Sequence, residues 1–189
     1  MIWKNFKSNI INLGFEEVDI FDDAEQHLVE SANRGIIYIN SFLERKKKIE
    51  HIDIPENTKY FMIDLSVYED FDSVCDVPPK IQGKPLADYY YENDILYINA
   101  PGKNVSITYN PKTELIPYDV DDNYILPIKQ ELIPLLQLIT AYYVWLDDDE
   151  RKATCYYDQY QELANNYISL KNLEKQDGFT ASVEGGIEI

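Results

Sequence analysis

The residues that could bind zinc or act as nucleophiles are few and far apart. The chain contains two histidines and two cysteines: His27, His51, Cys75 and Cys155. A zinc site needs three or four such ligands with some local spacing, and none of these residues has a neighbour of that kind. Serine or cysteine catalysis also lacks a local signature such as a G-x-S-x-G turn. We therefore expect no zinc site and no covalent catalysis, and we predict that both cysteines are reduced and buried.

Two acidic segments have the residue types that bind divalent cations. The segment Asp119–Asp122 partly matches a calcium loop, but Tyr124 and Gln130 stand where such a loop needs Gly and Glu. The run Asp147–Glu150 has the carboxylates to hold Mg²⁺ for a nuclease, yet acidic residues also favour the start of a helix. We interpret the second segment as a helix start with the spacing of a capping box. We expect no metal and no cofactor.

Size and charge narrow the classes of function further. The chain has 189 residues, and 17 Lys and Arg stand against 34 Asp and Glu, so the formal net charge is −17. Such a chain repels DNA and anionic lipid, which argues against a protein that wraps nucleic acid or lies on a membrane. The most apolar stretch, residues 130–146, is too short and too interrupted to span a bilayer. The length is ample for one folded domain.

Helical spacing predicts two helices within residues 3–48. Trp3, Phe6 and Ile10 recur at intervals of three and four before a stop at Gly14, and a second, longer apolar run follows. The second helix is predicted to end in four basic residues: Arg45, Lys46, Lys47 and Lys48. Positive charge complements the free carbonyls of a helix C-terminus, so we interpret this cluster as a solvated helix end. The alternative is a contact point for DNA or an acidic partner.

Turn signals at intervals of eight to ten residues predict a small antiparallel β-meander over about residues 60–110. Strands are expected near residues 89–91, 95–98 and 105–109. In the last of these, Val105, Ile107 and Tyr109 alternate with polar residues, as in a half-buried strand.

Residues 129–173 are predicted to form two antiparallel helices joined by the acidic run. The second helix has a stripe with spacings of four and three residues, typical of a packing seam: Ala153, Tyr157, Tyr160, Ala164 and Tyr167. We expect subunit packing to use the aromatic residues of this pair: Tyr142, Tyr143, Trp145, Tyr156, Tyr157 and Tyr160. In particular, Trp145 is expected to pack against Tyr157.

Residues 177–189 are predicted to form an extended arm that binds a partner, and the alternative is a frayed chain end. The segment is rich in glycine and has no helical period, and its apolar residues are Phe179, Val183, Ile187 and Ile189. Such a segment cannot bury these side chains by itself, so we expect a neighbour to bury them. The predicted fold is α+β: a single domain over residues 1–176, with N-terminal helices, a β-meander and a C-terminal helix pair, followed by the arm.

Four stretches in order carry a resemblance to a known family. They are Phe6–Gly14 before the long helix ending at Ile49, Tyr60–Leu65 with Asp70 and Phe71, Val105–Tyr109, and Leu126-Pro127 leading to Ala141–Tyr160. Together they resemble the head-to-tail connector proteins of tailed bacteriophages, also called portal adaptor or neck ring proteins. The last stretch resembles the family's closing helix pair, with an Asp-rich turn, the pair Tyr156-Tyr157 and a final Y-x-x-L. The resemblance covers about residues 3–173.

The resemblance implies a structural virion protein without catalysis, made in the host cytoplasm and located at the interface of head and tail. It implies a twelvefold homo-oligomeric ring under the portal that extends the DNA channel. The implied partners are the portal protein and the adjacent neck or tail protein. DNA would pass through during ejection without sequence-specific binding, and an acidic lumen would let it slide.

Three alternatives stay open at this point. The first is a tail-completion or baseplate ring with a different neighbour. The second is a hydrolase of the neck that works through paired carboxylates, for which the candidates are Glu50, Asp53, Asp64, Glu69 and Asp70. The third is an acidic mimic of DNA, which needs rows of carboxylates on one face, whereas these charges cluster at turns and helix starts.

Overall fold

The computed structural model of the chain describes residues 1–15, 24–55, 60–99 and 102–184. It contains helices and antiparallel sheets, so the predicted α+β class is confirmed. The chain divides into two compact units. The helical unit comprises Met1–Glu44 and the chain from Glu114 onward, and the strand unit comprises Arg45–Thr113.

The first part of the helical unit contains two helices and a wide turn: α1 (Trp3–Ile10), a π-helical turn (Ile11–Phe15) and α2 (Ala24–Phe42). The predicted stop at Gly14 is wrong, because the π-helical turn runs through this residue. Within this turn, Leu13 packs against the core of the unit.

Two antiparallel helices complete the helical unit: α3 (Ile133–Trp145) and α4 (Glu150–Glu184). Pro134 lies in the first turn of α3, where its missing N–H leaves no hydrogen bond unmade. Asp149 caps α4, because its carboxylate accepts the backbone N–H groups of Arg151 and Lys152 at 3.1 Å. The predicted capping box beginning at Asp147 is therefore wrong, since the chain turns through two more residues before the helix begins.

A close approach of backbone and side chains joins α2 to α3. A Cβ atom added at Gly35 would lie 2.8 Å from Cγ2 of Ile139 and 3.0 Å from Cδ1 of Leu136. Beside it, the side-chain amide of Asn33 makes two hydrogen bonds to the backbone of Ile116, at 2.8 and 2.9 Å. The glycine and the amide thus fix α2 against α3 and against the connection that leads into α3.

The strand unit contains eight described strands: β1 (Lys48–Ile54), β2 (Phe61–Asp64), β3 (Phe71–Val74), β4 (Lys80–Ile81), β5 (Lys84–Pro85), β6 (Tyr89–Glu92), β7 (Ile95–Ile98) and β8 (Gly102–Pro111). In the larger sheet the order is β1-β8-β4-β5, and β3 also pairs with β8. The smaller sheet has the order β2-β7-β6. All described pairs are antiparallel, and their alternating inner residues form a core of their own.

Strand β1 replaces the predicted end of a helix. We expected a helix up to Lys48, but α2 ends at Phe42 and Lys48 opens β1. The backbone of β1 pairs with β8, from Lys48 opposite Tyr109 to Ile54 opposite Gly102. Local helical spacing was misleading here, because the partner strand lies far away in the sequence.

Helix α4 extends further than the sequence predicted. It runs to Glu184, so the expected extended conformation is wrong for residues 177–184, and residues 185–189 lie outside the described part. Lengthening an existing helix adds hydrogen bonds without a new nucleation step, and this outweighs a cost of about 1 kcal/mol for Gly178 relative to alanine. Of the described helices, none combines the length and the apolar composition needed to cross a bilayer.

Candidate functional site

The aromatic residues predicted for packing form a cluster inside the helical unit. The hydroxyls of Tyr38 on α2 and Tyr157 on α4 are 3.1 Å apart. The ring of Tyr157 also lies 5.1 Å from that of Tyr142 on α3, and Tyr160 meets Tyr38 edge to face at 5.7 Å. The hydrogen bond to Tyr157, together with burial, raises the pKa of Tyr38 to about 12. The cluster therefore joins α2, α3 and α4 through ring contacts and one hydrogen bond between hydroxyls.

The other predicted aromatic residues also pack within the unit. Trp145 is 9% exposed, and the ammonium of Lys152 lies 3.9 Å from the centre of its ring. The hydroxyl of Tyr156 donates to the backbone carbonyl of Leu13, and Tyr143 is half-buried beside Tyr142. The burial of Trp145 agrees with the prediction, whereas its specific contact with Tyr157 stays a prediction.

The predicted seam of α4 faces α3, but a second stripe on α4 faces outward. Its residues have the same spacing of four and three: Gln159, Leu163, Asn166, Leu170 and Leu173. All five are exposed, with Leu170 at 61% and Leu173 at 56%. We call this set the outer stripe. The outer stripe was not identified from the sequence, because the more aromatic seam of the same helix dominated the pattern. The spacing of four and three residues in the outer stripe is nevertheless visible in the sequence.

A polar network fixes α4 at the level of the outer stripe. The hydroxyl of Tyr167 donates to the carboxylates of Glu44 and Glu131, and Lys129 forms an ion pair with Glu44. Lys171 lies 3.3 Å from Glu131. Burial and the bond to Glu131 raise the pKa of Tyr167 to about 12, so its proton stays in place at neutral pH. The outer stripe is thus carried by an anchored helix.

Two of the four basic residues predicted as a contact point are paired within the strand unit. The guanidinium of Arg45 donates to Asp72 at 2.6 Å and to Ser73 at 2.9 Å. The ammonium of Lys48 lies 2.9 Å from Asp70 and 3.2 Å from Glu50. Lys47 is exposed and Lys46 is half-buried. The structure therefore uses the cluster largely to neutralise nearby carboxylates.

Three of the five carboxylates considered for hydrolysis accept structural hydrogen bonds, and a fourth, Glu50, pairs with Lys48. Asp70 accepts from Lys48 and from the hydroxyl of Tyr109 at 2.8 Å, and these bonds hold its pKa below the ordinary value. Asp53 accepts the backbone N–H of Asn104 at 2.6 Å, and Asp64 accepts that of Ser66 at 3.0 Å. A general acid needs a raised pKa, so the Asp70 carboxyl is shifted the wrong way for that role.

The predicted arm residues and the predicted absence of a metal site are the remaining points. Phe179 and Val183 lie on the helical backbone of α4, while Ile187 and Ile189 lie outside the described residues. Among the described residues, no group of three or more His, Cys, Asp or Glu side chains has the arrangement of a metal site.

The two cysteines differ in environment. Cys75 is buried, and its thiol donates to the carbonyl of Thr108. The predicted burial of Cys155 is wrong, because it lies two residues beyond the inward-facing Ala153 and therefore points outward.

Comparison with models of known protein families and with curated proteins finds no match for this chain.

Proposed function

We propose that this chain is a structural subunit of a ring in the neck of a tailed bacteriophage, located under the portal. The resemblance of four stretches of the sequence to head-to-tail connector proteins is the first support for this proposal. The observation that carries it is the outer stripe of α4, which is exposed and contains no ionisable side chain. In a chain of net charge −17, a stripe without charged side chains lets two copies meet with less repulsion than a surface of average charge.

The spacing of the outer stripe favours a helical contact with a second copy. Residues spaced four and three apart lie along one face of a helix, as in a coiled-coil seam. Leu170 and Leu173 supply apolar contacts, and Asn166 supplies a polar one that fixes the register. Helix α4 has 35 residues and α3 has 13, so α4 is longer by about 33 Å and reaches beyond its partner within the unit.

A closed ring requires that the outer stripe meets a different surface of its neighbour. A contact between two identical stripes would give a two-fold dimer, whereas a contact between unlike surfaces closes a ring. The helical unit has further exposed apolar side chains on α2, namely Ile37 and Phe42. We assign these residues to the receiving surface of the neighbouring copy.

The charge of the chain supports a channel role without sequence-specific binding of DNA. A ring of acidic subunits repels the phosphate backbone and so lets DNA slide through during packaging and ejection. The ion pairs of Arg45 and Lys48 also fit this role, because they leave less free positive charge to hold DNA.

A structural role without catalysis fits the carboxylates of the strand unit. Asp53 and Asp64 accept backbone N–H groups, and the Asp70 carboxylate is paired with Lys48. We therefore assign these residues to folding and not to hydrolysis. An activity that disappears when one of them is replaced by its amide would contradict this assignment.

The proposed partners are other copies of the chain, the portal protein and the adjacent neck or tail protein. The same surfaces would serve a tail-completion or baseplate ring, which differs only in its neighbours. Mixing the purified chain with the cognate portal protein distinguishes the two, since only a neck ring binds the portal.

The contact between copies is tested by the mass of the purified assembly. We expect the natural chain to form a ring, and Leu170→Lys with Leu173→Lys to reduce it to smaller species. Lysine and leucine have similar helix propensities, so the variant should stay folded. Tyr118→Lys is the matched control, because Tyr118 is exposed in the helical unit but lies outside the stripe. A ring that survives the double substitution would contradict the proposed contact, and so would a natural chain that forms a two-fold dimer instead of a ring.

A further inference from the structure

The smaller sheet of the strand unit has one buried face and one exposed apolar face. Residues opposite one another in an antiparallel sheet share a face, and Met62, Tyr97 and Tyr90 are opposite one another across β2, β7 and β6. Met62 is 66% exposed and Tyr90 is 47% exposed. The alternate residues Ile63, Leu96 and Tyr91 point to the core of the unit. We call the row Met62-Tyr97-Tyr90 the sheet patch.

The sheet patch is a preformed, flat surface. The rings of Tyr90 and Tyr97 are stacked with their centres 4.5 Å apart and their planes within 5°. A tyrosine side chain loses little conformational entropy on binding, and here the stacking already restricts the motion of both rings. Tyr60, which directly precedes β2 and lies two residues before Met62, is also 67% exposed. Rigid aromatic groups of this kind are typical anchors of protein interfaces.

Among the described residues at the border of the sheet patch, the charged ones are all negative. On one side, Asp64 and Glu92 lie opposite Ile95 and share the exposed face. On the other side, Asp88 is held at the face by a hydrogen bond of 2.8 Å from the amide of Asn99. The described residues of these rows include no lysine and no arginine. The border therefore repels a second copy of this acidic chain and attracts a basic surface.

We infer that the sheet patch binds a different protein, through an apolar segment of that protein flanked by lysine or arginine. The stacked tyrosines and Met62 receive the apolar segment, and Glu92 with its acidic neighbours pairs with the basic flanks. The inference goes beyond the contact between copies assigned to the outer stripe. It concerns the strand unit alone and stands whether or not the chain forms a ring.

A synthetic peptide tests this inference with the purified full-length chain. The probe is a short peptide with leucines alternating with threonines in its centre and lysines at both ends. Two comparison peptides separate the contributions: one has serine in place of leucine, and the other has glutamate in place of lysine. We expect the probe to bind at least about tenfold more tightly than either comparison peptide.

Variants of the chain locate the binding site. We expect Tyr90→Thr and Glu92→Lys each to weaken binding of the probe by about tenfold. Tyr90 and Glu92 lie on an edge strand with exposed side chains, and threonine favours strands, so both variants should fold. Asp76→Lys is the matched control, since Asp76 is exposed in the strand unit outside the described rows of the patch.

The outcomes separate a specific site from general attraction to an acidic protein. Binding that depends on leucine and lysine and is lost in Tyr90→Thr and Glu92→Lys alone supports the inference. Equal binding of the serine peptide, equal weakening by Asp76→Lys, or no binding of the probe would overturn it. The mass of the chain's own assembly is measured separately, so failure here leaves the proposed ring untouched, and failure of the ring leaves this inference untouched.

Discussion

The helical unit and the strand unit each expose an apolar surface, but the charges at these surfaces differ. The outer stripe of α4 is flanked by exposed Glu162 on one side and on the other by Glu174, which lies 3.4 Å from the ammonium of Lys171. The described border of the sheet patch has Asp64 and Glu92 and no cation. Since the whole chain is strongly acidic, charge decides which partner each surface can accept. A stripe of uncharged residues with charges of both signs beside it suits another copy, and an acidic border suits a basic protein.

The two units also differ in what holds them together. In the helical unit, the packing of Trp145 and the tyrosine cluster joins α3 to α4 and so positions the outer stripe. In the strand unit, Tyr109 is fully buried, and its hydroxyl bonds Asp70 beside Lys48. Both units thus combine aromatic packing with ion pairs, but a tyrosine cluster joins helices in the first, whereas a single buried tyrosine bonds the carboxylate of an ion pair in the second. Changes in each unit should therefore have different signatures.

The largest expected effect is that of Trp145→Ala. Removing a buried indole leaves a cavity, and we expect the free energy of unfolding to fall by about 3 kcal/mol or more. Urea unfolding measures this change. The control Tyr118→Ala removes a side chain that is 66% exposed and should change stability by less than about 0.5 kcal/mol. Similar small effects of both substitutions would mean that aromatic packing does not stabilise the helical unit.

Glycine substitutions distinguish crowding in one unit from backbone geometry in the other. Gly35→Val places atoms against Ile139 and Leu136, and we expect overpacking to lower the free energy of unfolding by about 2 kcal/mol. Gly83 has open space around it but a φ of +78°, so Gly83→Ala should cost about 1 kcal/mol from backbone strain alone. Thermal unfolding of both variants tests which of them loses more stability. A greater loss of stability in Gly83→Ala than in Gly35→Val would contradict the prediction.

The Asp70–Lys48 pair predicts that the stability of the strand unit depends on pH. The pKa of Asp70 is lowered in the folded chain by the bonds from Lys48 and Tyr109, so the unfolded chain binds the proton more readily. Its contribution to stability is therefore present above the ordinary pKa of aspartate and is lost as pH falls through the lowered folded value. Asp70→Asn should flatten this part of the curve of urea midpoint against pH. An unchanged slope would show that the pair is not responsible.

The smallest expected effect on stability is that of removing residues 177–189. The deletion takes away the last turns of α4 and the terminal segment, where chain ends contribute little to the core. We expect unfolding to be nearly unchanged, while binding to the portal or a neighbouring ring is lost. A strong fall in the melting temperature with binding intact would assign these residues to the core of the helical unit.

The sequence predicted the elements that depend on local pattern. The expected strands near 89–91 and 95–98 correspond to β6 and β7, because turn residues and alternation mark them locally. The spacing of Ala153, Tyr160 and Ala164 also identified the inward face of α4. Strand β1 was missed because it is defined by pairing with β8, which lies about fifty residues later.

The surfaces proposed for binding were harder to predict. The stripe containing Leu163 and Leu170 shares α4 with the aromatic seam, and only packing shows which of the two repeats is left exposed. The sheet patch requires the register that places Met62 beside Tyr97, and residues so far apart in sequence reveal no such pairing. The basic run was recognisable, but the ion pairs of Arg45 and Lys48 depend on tertiary contacts.

One measurement tests the division of roles between the two surfaces most directly: the native mass of the assembled chain and of two variants. We predict that the natural chain forms a closed ring, that Leu170→Lys with Leu173→Lys reduces it to smaller species, and that Glu92→Lys leaves its mass unchanged. The account is contradicted if the natural chain stays a monomer, or if the sheet-patch variant loses the ring while the stripe variant keeps it.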